Sequence, residues 1–113
     1  MFAIKSDYDG VAVLSVKGKL VTSEDNESLQ EEIKDTLTSK PKGVIIDLRQ
    51  VNWISSTGIS GLIRCLSMTK KAGGGFGLTG LNEKVQSIIE LTQLDKVISV
   101  FPSVNDGVAE FTA

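Results

Sequence analysis

Histidine is absent from this chain of 113 residues, and cysteine occurs once, at Cys65. Without histidine, a single chain cannot build a Ser-His-Asp triad, a Cys-His dyad or a histidine-bearing metal site. A lone cysteine closes no intrachain disulfide and cannot make a thiolate zinc cage. A reducing, intracellular compartment fits that count. No apolar run approaches the ~20 residues that a membrane-spanning helix requires. The first residues, "MFAIKSDYDG", lack a basic segment followed by an apolar one, so they do not read as a signal peptide. A strong charge bias is also missing: the net charge is −2 and the pI is near 5.1. That leaves no electrostatic footprint for nucleic acid or an anionic membrane. The expectation is a cytoplasmic protein that binds neither.

What is present is core-forming material. Apolar residues make up 41% of the chain, enough for one packed domain over residues 1–113. Phe2 to Ser6 and Val11 to Lys17 read as strands joined by Asp9-Gly10, a hairpin signal. Thr22 or Ser23 then caps a helix, with Glu24 and Asp25 in its electropositive first turn. Leu29, Ile33 and Leu37 form its narrow apolar stripe, and Lys40-Pro41-Lys42-Gly43 ends it. "VIIDL", Val44 to Leu48, is nearly continuous and β-branched, as in a strand covered on both faces. Ile59, Leu62, Ile63 and Leu66 mark a helix from about Thr57 to residue 71.

Gly73-Gly74-Gly75 stops that helix, and Phe76 to Thr79 follows as a strand. Asn82 caps a helix that buries Val85, Ile88 and Ile89. Val97 to Phe101 is the last strand. Ser103 and Asp106 resemble a capping box for a short helix carrying Val104, Val108 and Phe111. The order β-β-α-β-α-β-α-β-α specifies an α/β fold with a mostly parallel sheet, an N-terminal antiparallel hairpin and about four helices.

One stretch stands out: "VNWISSTGISGLIRCL", Val51 to Leu66, at the junction between "VIIDL" and a helix. In such folds ligands and partners gather at the carboxyl ends of strands. Helix starts favour negative charge. Ser55, Ser56, Thr57 and Ser60 with Gly58 and Gly61 exceed what capping alone needs. A hydroxyl here can cap the helix, hold an anion or carry a phosphoryl group, and the pattern alone leaves these open. "GGGFG", Gly73 to Gly77, superficially resembles a phosphate loop. It follows a helix and precedes a strand, the reverse of what phosphate binding needs. "GISG" is not a nucleophile elbow. Asp47 suits a ligand role, but reads first as a polar strand end bonding to the nearby helix start. Trp53 suits a core role or a contact role about equally. Cys65 lies near the apolar face and packs. Nothing pairs a nucleophile with its base, so no catalytic residue, enzyme activity, metal or cofactor is expected.

At this point the chain resembles the STAS domain, the fold of the anti-sigma factor antagonists. The resemblance spans the hairpin, Gly18-x-Leu20, "VIIDL", "SSTGI" and the order of later elements, and "DL-x5-ISSTGI" is its most specific part. It implies that Ser56 is the phosphoacceptor, with Ser55 and Thr57 as less favoured alternatives. It implies partners: an anti-sigma factor that is also a serine kinase of the histidine-kinase-like ATPase type, and a phosphatase. Binding of the unmodified protein would release a sigma factor, and phosphorylation would end binding. The implied contact surface comprises Val21, Thr22, Ser23 and Glu24, then Trp53, Ile54, Ser55, Thr57 and Gly58, then Ser60 on the exposed side of the helix. Two positions depart from the family pattern: Ser55 and Val21 stand where aspartates are usual. Two other readings stay open: a STAS module of a stress-signalling or lipid-transport assembly without phosphorylation, and a nucleotide-binding STAS domain.

Overall fold

Asp9 and Gly10 both take positive φ, 57° and 88°, the signature of the tight turn whose twist matches two antiparallel strands. They join β1 (Phe2–Tyr8) to β2 (Val11–Leu20) in unbroken register, from Phe2 opposite Lys17 to Tyr8 opposite Val11. The computed structural model describes residues 2–113. Three further strands lie parallel to β2: β3 (Gly43–Ile54), β4 (Gly75–Thr79) and β5 (Ser99–Phe101). The sheet order is β1-β2-β3-β4-β5, the sequential arrangement that right-handed helical crossovers produce.

The crossovers are α1 (Ser23–Leu37), α2 (Ser56–Lys71) and α3 (Glu83–Leu91), the last followed by a 3₁₀ turn at Leu94–Lys96. A fourth helix, α4 (Val104–Thr112), ends the chain's order of elements. The main core lies between the sheet and the first three helices. Leu14, Val16, Leu20, Val44, Ile46, Leu48 and Ile54 meet Leu29, Ile33, Ile59, Leu62, Cys65, Val85 and Ile89 there. On the opposite face a small separate cluster of Val11, Val13 and Ile45 is covered by Val104, Val108 and Phe111 of α4. The helix caps follow the sequence reading: Thr22 caps α1, Asn82 caps α3 and Ser103 caps α4.

The strands differ from expectation in length. β1 runs to Tyr8 and β2 to Leu20, past Ser6 and Lys17. β3 continues six residues beyond Leu48. The register with β2 slips twice, between Ser15/Lys17 and between Gly18/Lys19. Each slip is a bulge that breaks the two-residue alternation, so the outer half of β3 does not read as strand. β5 begins at Ser99, two residues later than expected, because Val97 and Ile98 donate their N–H groups to Leu94 O (3.0 and 2.9 Å). Those bonds hold the preceding turn closed and keep both residues out of the ladder. Asp47 also departs from expectation. Its buried carboxylate bonds not to a helix start but to the exposed Arg49 guanidinium (2.8 Å) and the Arg49 N–H (3.1 Å).

The "GGGFG" segment is a helix-to-strand connection, as its order implied. Gly73 takes φ 86°, and the Gly74 N–H returns to Thr69 O at 3.0 Å. Gly75, with Gly43 on the neighbouring strand, leaves a flat seat for the Phe111 ring, which a Cβ at either position would strike.

Candidate functional site at the ends of β2 and β3

The parallel pairing of β2 and β3 brings Leu20 beside Ile54. Both chains then turn into helices, so α1 and α2 start side by side at the carboxyl end of the sheet. Ser55 is the N-cap of α2, in extended conformation. Its N–H donates to Leu20 O (3.0 Å), its hydroxyl donates to Val21 O (2.9 Å), and the same oxygen accepts from the Gly58 N–H (3.2 Å). The first two of these bonds fasten the start of α2 to the end of β2, and the third closes the helix cap. Serine meets the cap requirement here, because its oxygen supplies the acceptor for the first helical turn.

Ser56 is the first residue of α2 and is exposed. Among the described residues no hydrogen bond engages its hydroxyl. The first-turn N–H groups of Ser56 and Thr57 likewise find no partner among them, as expected at a helix start. The first turn of α2 carries no acidic side chain of its own to offset its positive end. Thr57 is half-buried, and its carbonyl accepts from the Asn26 amide (2.7 Å).

Two glycines allow this close approach. A Cβ on Gly58 would run into Leu20 O and come within 2.9 Å of Ile54 Cγ2. A Cβ on Gly61 would run into the Asn26 amide. The Asn26 Oδ1 sits buried in that contact without a hydrogen-bond partner, so packing against Gly61 fixes the amide while its nitrogen holds the start of α2.

The neighbouring turn is ordered by Asp25. One carboxylate oxygen accepts from the N–H groups of Val21 and Thr22, both at 3.0 Å, and Thr22 Oγ1 accepts from the Asp25 N–H (3.1 Å). These donors hold the Asp25 carboxyl below its ordinary range, the backbone bond from Thr22 contributing most. Asp25 and Asn26 therefore build the surface, although neither was a candidate from sequence. Asp25 was legible only as a first-turn acid. The bond from Asn26 to residue 57 has no local signal.

The remaining candidates divide by exposure. Val21 is half-buried, and Thr22, Ser23 and Glu24 are exposed around the α1 start. Trp53 is 44% exposed, with the Lys84 ammonium 6.0 Å from its ring centroid, at the outer limit of a cation–π contact. Ser60 is exposed on α2 and lines a shallow polar groove between α1 and α2 with Ser23, Glu27 and Arg64. Ile54 and Gly58 do not belong to the accessible surface. Both are buried, Ile54 at 1% exposure, and they shape it from beneath. Cys65 points into the core, where burial pushes its thiol up to about 12.

The model of the STAS domain family matches residues 3–107. The chain belongs to the STAS domain family. Among curated relatives, the anti-sigma-F factor antagonist RsfB of Mycobacterium tuberculosis is 30% identical over 106 residues, covering 90% of this chain and 82% of that one. The crystal structure of an anti-sigma factor antagonist from Mycobacterium paratuberculosis superposes with a TM-score of 0.85 at 27% identity. The match covers 99% of this STAS domain and 94% of that chain. SpoIIAA, an anti-sigma factor antagonist in its unphosphorylated form, shares the fold at a TM-score of 0.77 and 11% identity, over 96% and 95% of the two chains. No helix among the described residues of this STAS domain is long and apolar enough to cross a membrane.

Proposed function

We propose that this STAS domain is an anti-sigma factor antagonist switched by phosphorylation of Ser56. One observation carries the reading: Ser56 presents an exposed, unengaged hydroxyl on a helix start, while the adjacent Ser55 hydroxyl is consumed by the cap. The names of the relatives supply the partner class, an anti-sigma factor.

The unmodified surface, centred on Ser56 and flanked by Trp53, Thr22 and Ser60, binds the anti-sigma factor and displaces its sigma factor. A kinase activity of the histidine-kinase-like ATPase type in that partner transfers the γ-phosphoryl group of ATP. A new P–O bond forms to Ser56 Oγ, the bond to ADP breaks, and the hydroxyl proton passes to a base of the kinase. The product carries about −1.5 to −2 charges. The α2 start accommodates that charge, because the N–H groups of Ser56 and Thr57 are uncommitted and the first turn of α2 itself carries no acid. A partner would have to strip water from it to dock, which is costly for an unpaired charge. Binding is lost while the fold persists, and a phosphatase that hydrolyses the ester restores the starting state. In this scheme the catalytic groups belong to the kinase and phosphatase.

The test is intact-mass measurement after incubation with the cognate anti-sigma factor and ATP. Wild type gains the mass of one phosphate, Ser56→Ala gains none, and Ser56→Asp binds the partner at least tenfold more weakly. Labelling that persists in Ser56→Ala would remove the assignment.

A further inference from the structure

The outer edge of β1 is unpaired among the described residues, and its pattern is complementary to itself. We propose that β1 is a homodimerisation edge, joining two copies antiparallel about Ser6 into one ten-stranded sheet.

The Asp9-Gly10 turn makes Tyr8 and Val11 the hydrogen-bonded pair that closes the hairpin. By the antiparallel alternation, Ser6 and Ile4 also direct their backbone groups toward β2, whereas Lys5 and Asp7 direct theirs outward. The outward groups are therefore those a second strand would meet. A two-fold axis at Ser6 sets Lys5 opposite Asp7 of the second copy and Asp7 opposite its Lys5. On the other face it sets Ile4 opposite Tyr8 and Tyr8 opposite Ile4. Lys5 and Asp7 are exposed, and Ile4 and Tyr8 stand 46% and 47% exposed.

That second face is open. Tyr8 and Ser6 lie beside Val11 and Val13, the residues α4 covers, but α4 packs mainly over β2 to β5. Two apolar side chains from each copy would thus meet in uncovered space.

Charge selects this register over its neighbours. Sliding by two residues one way sets Lys5 against Lys5. Sliding the other way sets Asp7 against Asp7. Like charges directly opposite destabilise a pair, and opposite charges stabilise it. Edge strands that avoid partners usually carry a proline, a bulge or charged side chains that a partner strand leaves unmatched. β1 has no proline and no register break, and its two charges have opposite signs.

The antiparallel join also reverses one copy relative to the other. The two Ser56 surfaces then face opposite ends of the joined sheet, and each can take a partner without obstructing the second.

Sedimentation velocity of the full chain over a concentration series tests this. The mean mass should rise from 12.1 kDa toward twice that value. Lys5→Asp places like charges at both ion-pair positions and should weaken the dimer about tenfold or more. Combining it with Asp7→Lys restores opposite charges and should recover the dimer. Amide exchange at Lys5 and Asp7 should slow with concentration, whereas Ser6, already bonded to β2, should not change. A mass fixed at one chain, a dimer indifferent to Lys5→Asp, or a double variant that stays monomeric would each overturn the proposal. None of these readouts depends on Ser56 or on an anti-sigma factor.

Discussion

Ser55 and Val21 are joined by a 2.9 Å hydrogen bond from the serine hydroxyl to the valine carbonyl, across 34 positions of sequence. The bond fastens the exit of β2 to the start of α2. It makes the two adjacent serines unequal in a way that stability measurements can resolve. Ser55→Ala removes an N-cap and leaves Val21 O without its donor, a loss of about 1–2 kcal/mol. Ser56→Ala removes an exposed hydroxyl with no partner and should change stability by less than about 0.5 kcal/mol. Urea unfolding of the two variants beside wild type measures both. Equal losses would mean that the cap lies elsewhere.

Gly58→Ala should be among the more damaging single-methyl additions in this chain. The added carbon meets Leu20 O, which is backbone and already accepts the Ser55 N–H. The methyl can be accommodated only by lifting α2 from β2, which also strains that bond. Overpacking of this kind costs about 1–3 kcal/mol. A thermal or urea midpoint equal to wild type would show that the junction is looser than described. The same displacement shifts Ser56 relative to Thr22, so partner affinity should fall along with stability.

The Asp25 carboxylate provides a pH signature. Its folded-state pKa lies below the ordinary 3.8, held there by the N–H groups of Thr22 and Val21. A depressed acid contributes stability that is fully present above its unfolded pKa and is lost as pH falls through the folded value. Wild type should therefore be more stable than Asp25→Asn at neutral pH, and the gap should close in acid below the usual carboxylate range. Paired urea titrations across that span read it directly. A gap independent of pH would assign the contribution to shape rather than to charge.

Much of this surface was legible because its local chemistry is short-range. A serine before an apolar period announces a cap, and Thr22, Asn82 and Ser103 announced theirs in the same way. Whether Ser55 or Ser56 is the cap was not legible, because the answer depends on a carbonyl 34 residues away. Asn26 escaped notice for the same reason: its partner is Thr57, and its packing site is Gly61. The outer half of β3 was hidden by bulges, since a reading based on alternation stops where alternation stops. Asp47 was read toward a helix start because nothing in sequence shows that Arg49, two positions on, folds back over it.

The sheet divides the interior into two unequal cores, and only the small one, capped by Phe111 on its glycine seat, holds α4. Elements with few buried contacts open at lower free energy than the body of a domain and do so as separate units. α4 is therefore the element expected to open first, and it lies on the face of the sheet opposite Leu20, Ser55 and Gly58. The five-stranded sheet stands between that helix and the serine, so the two lie on separate cores that share only the strands.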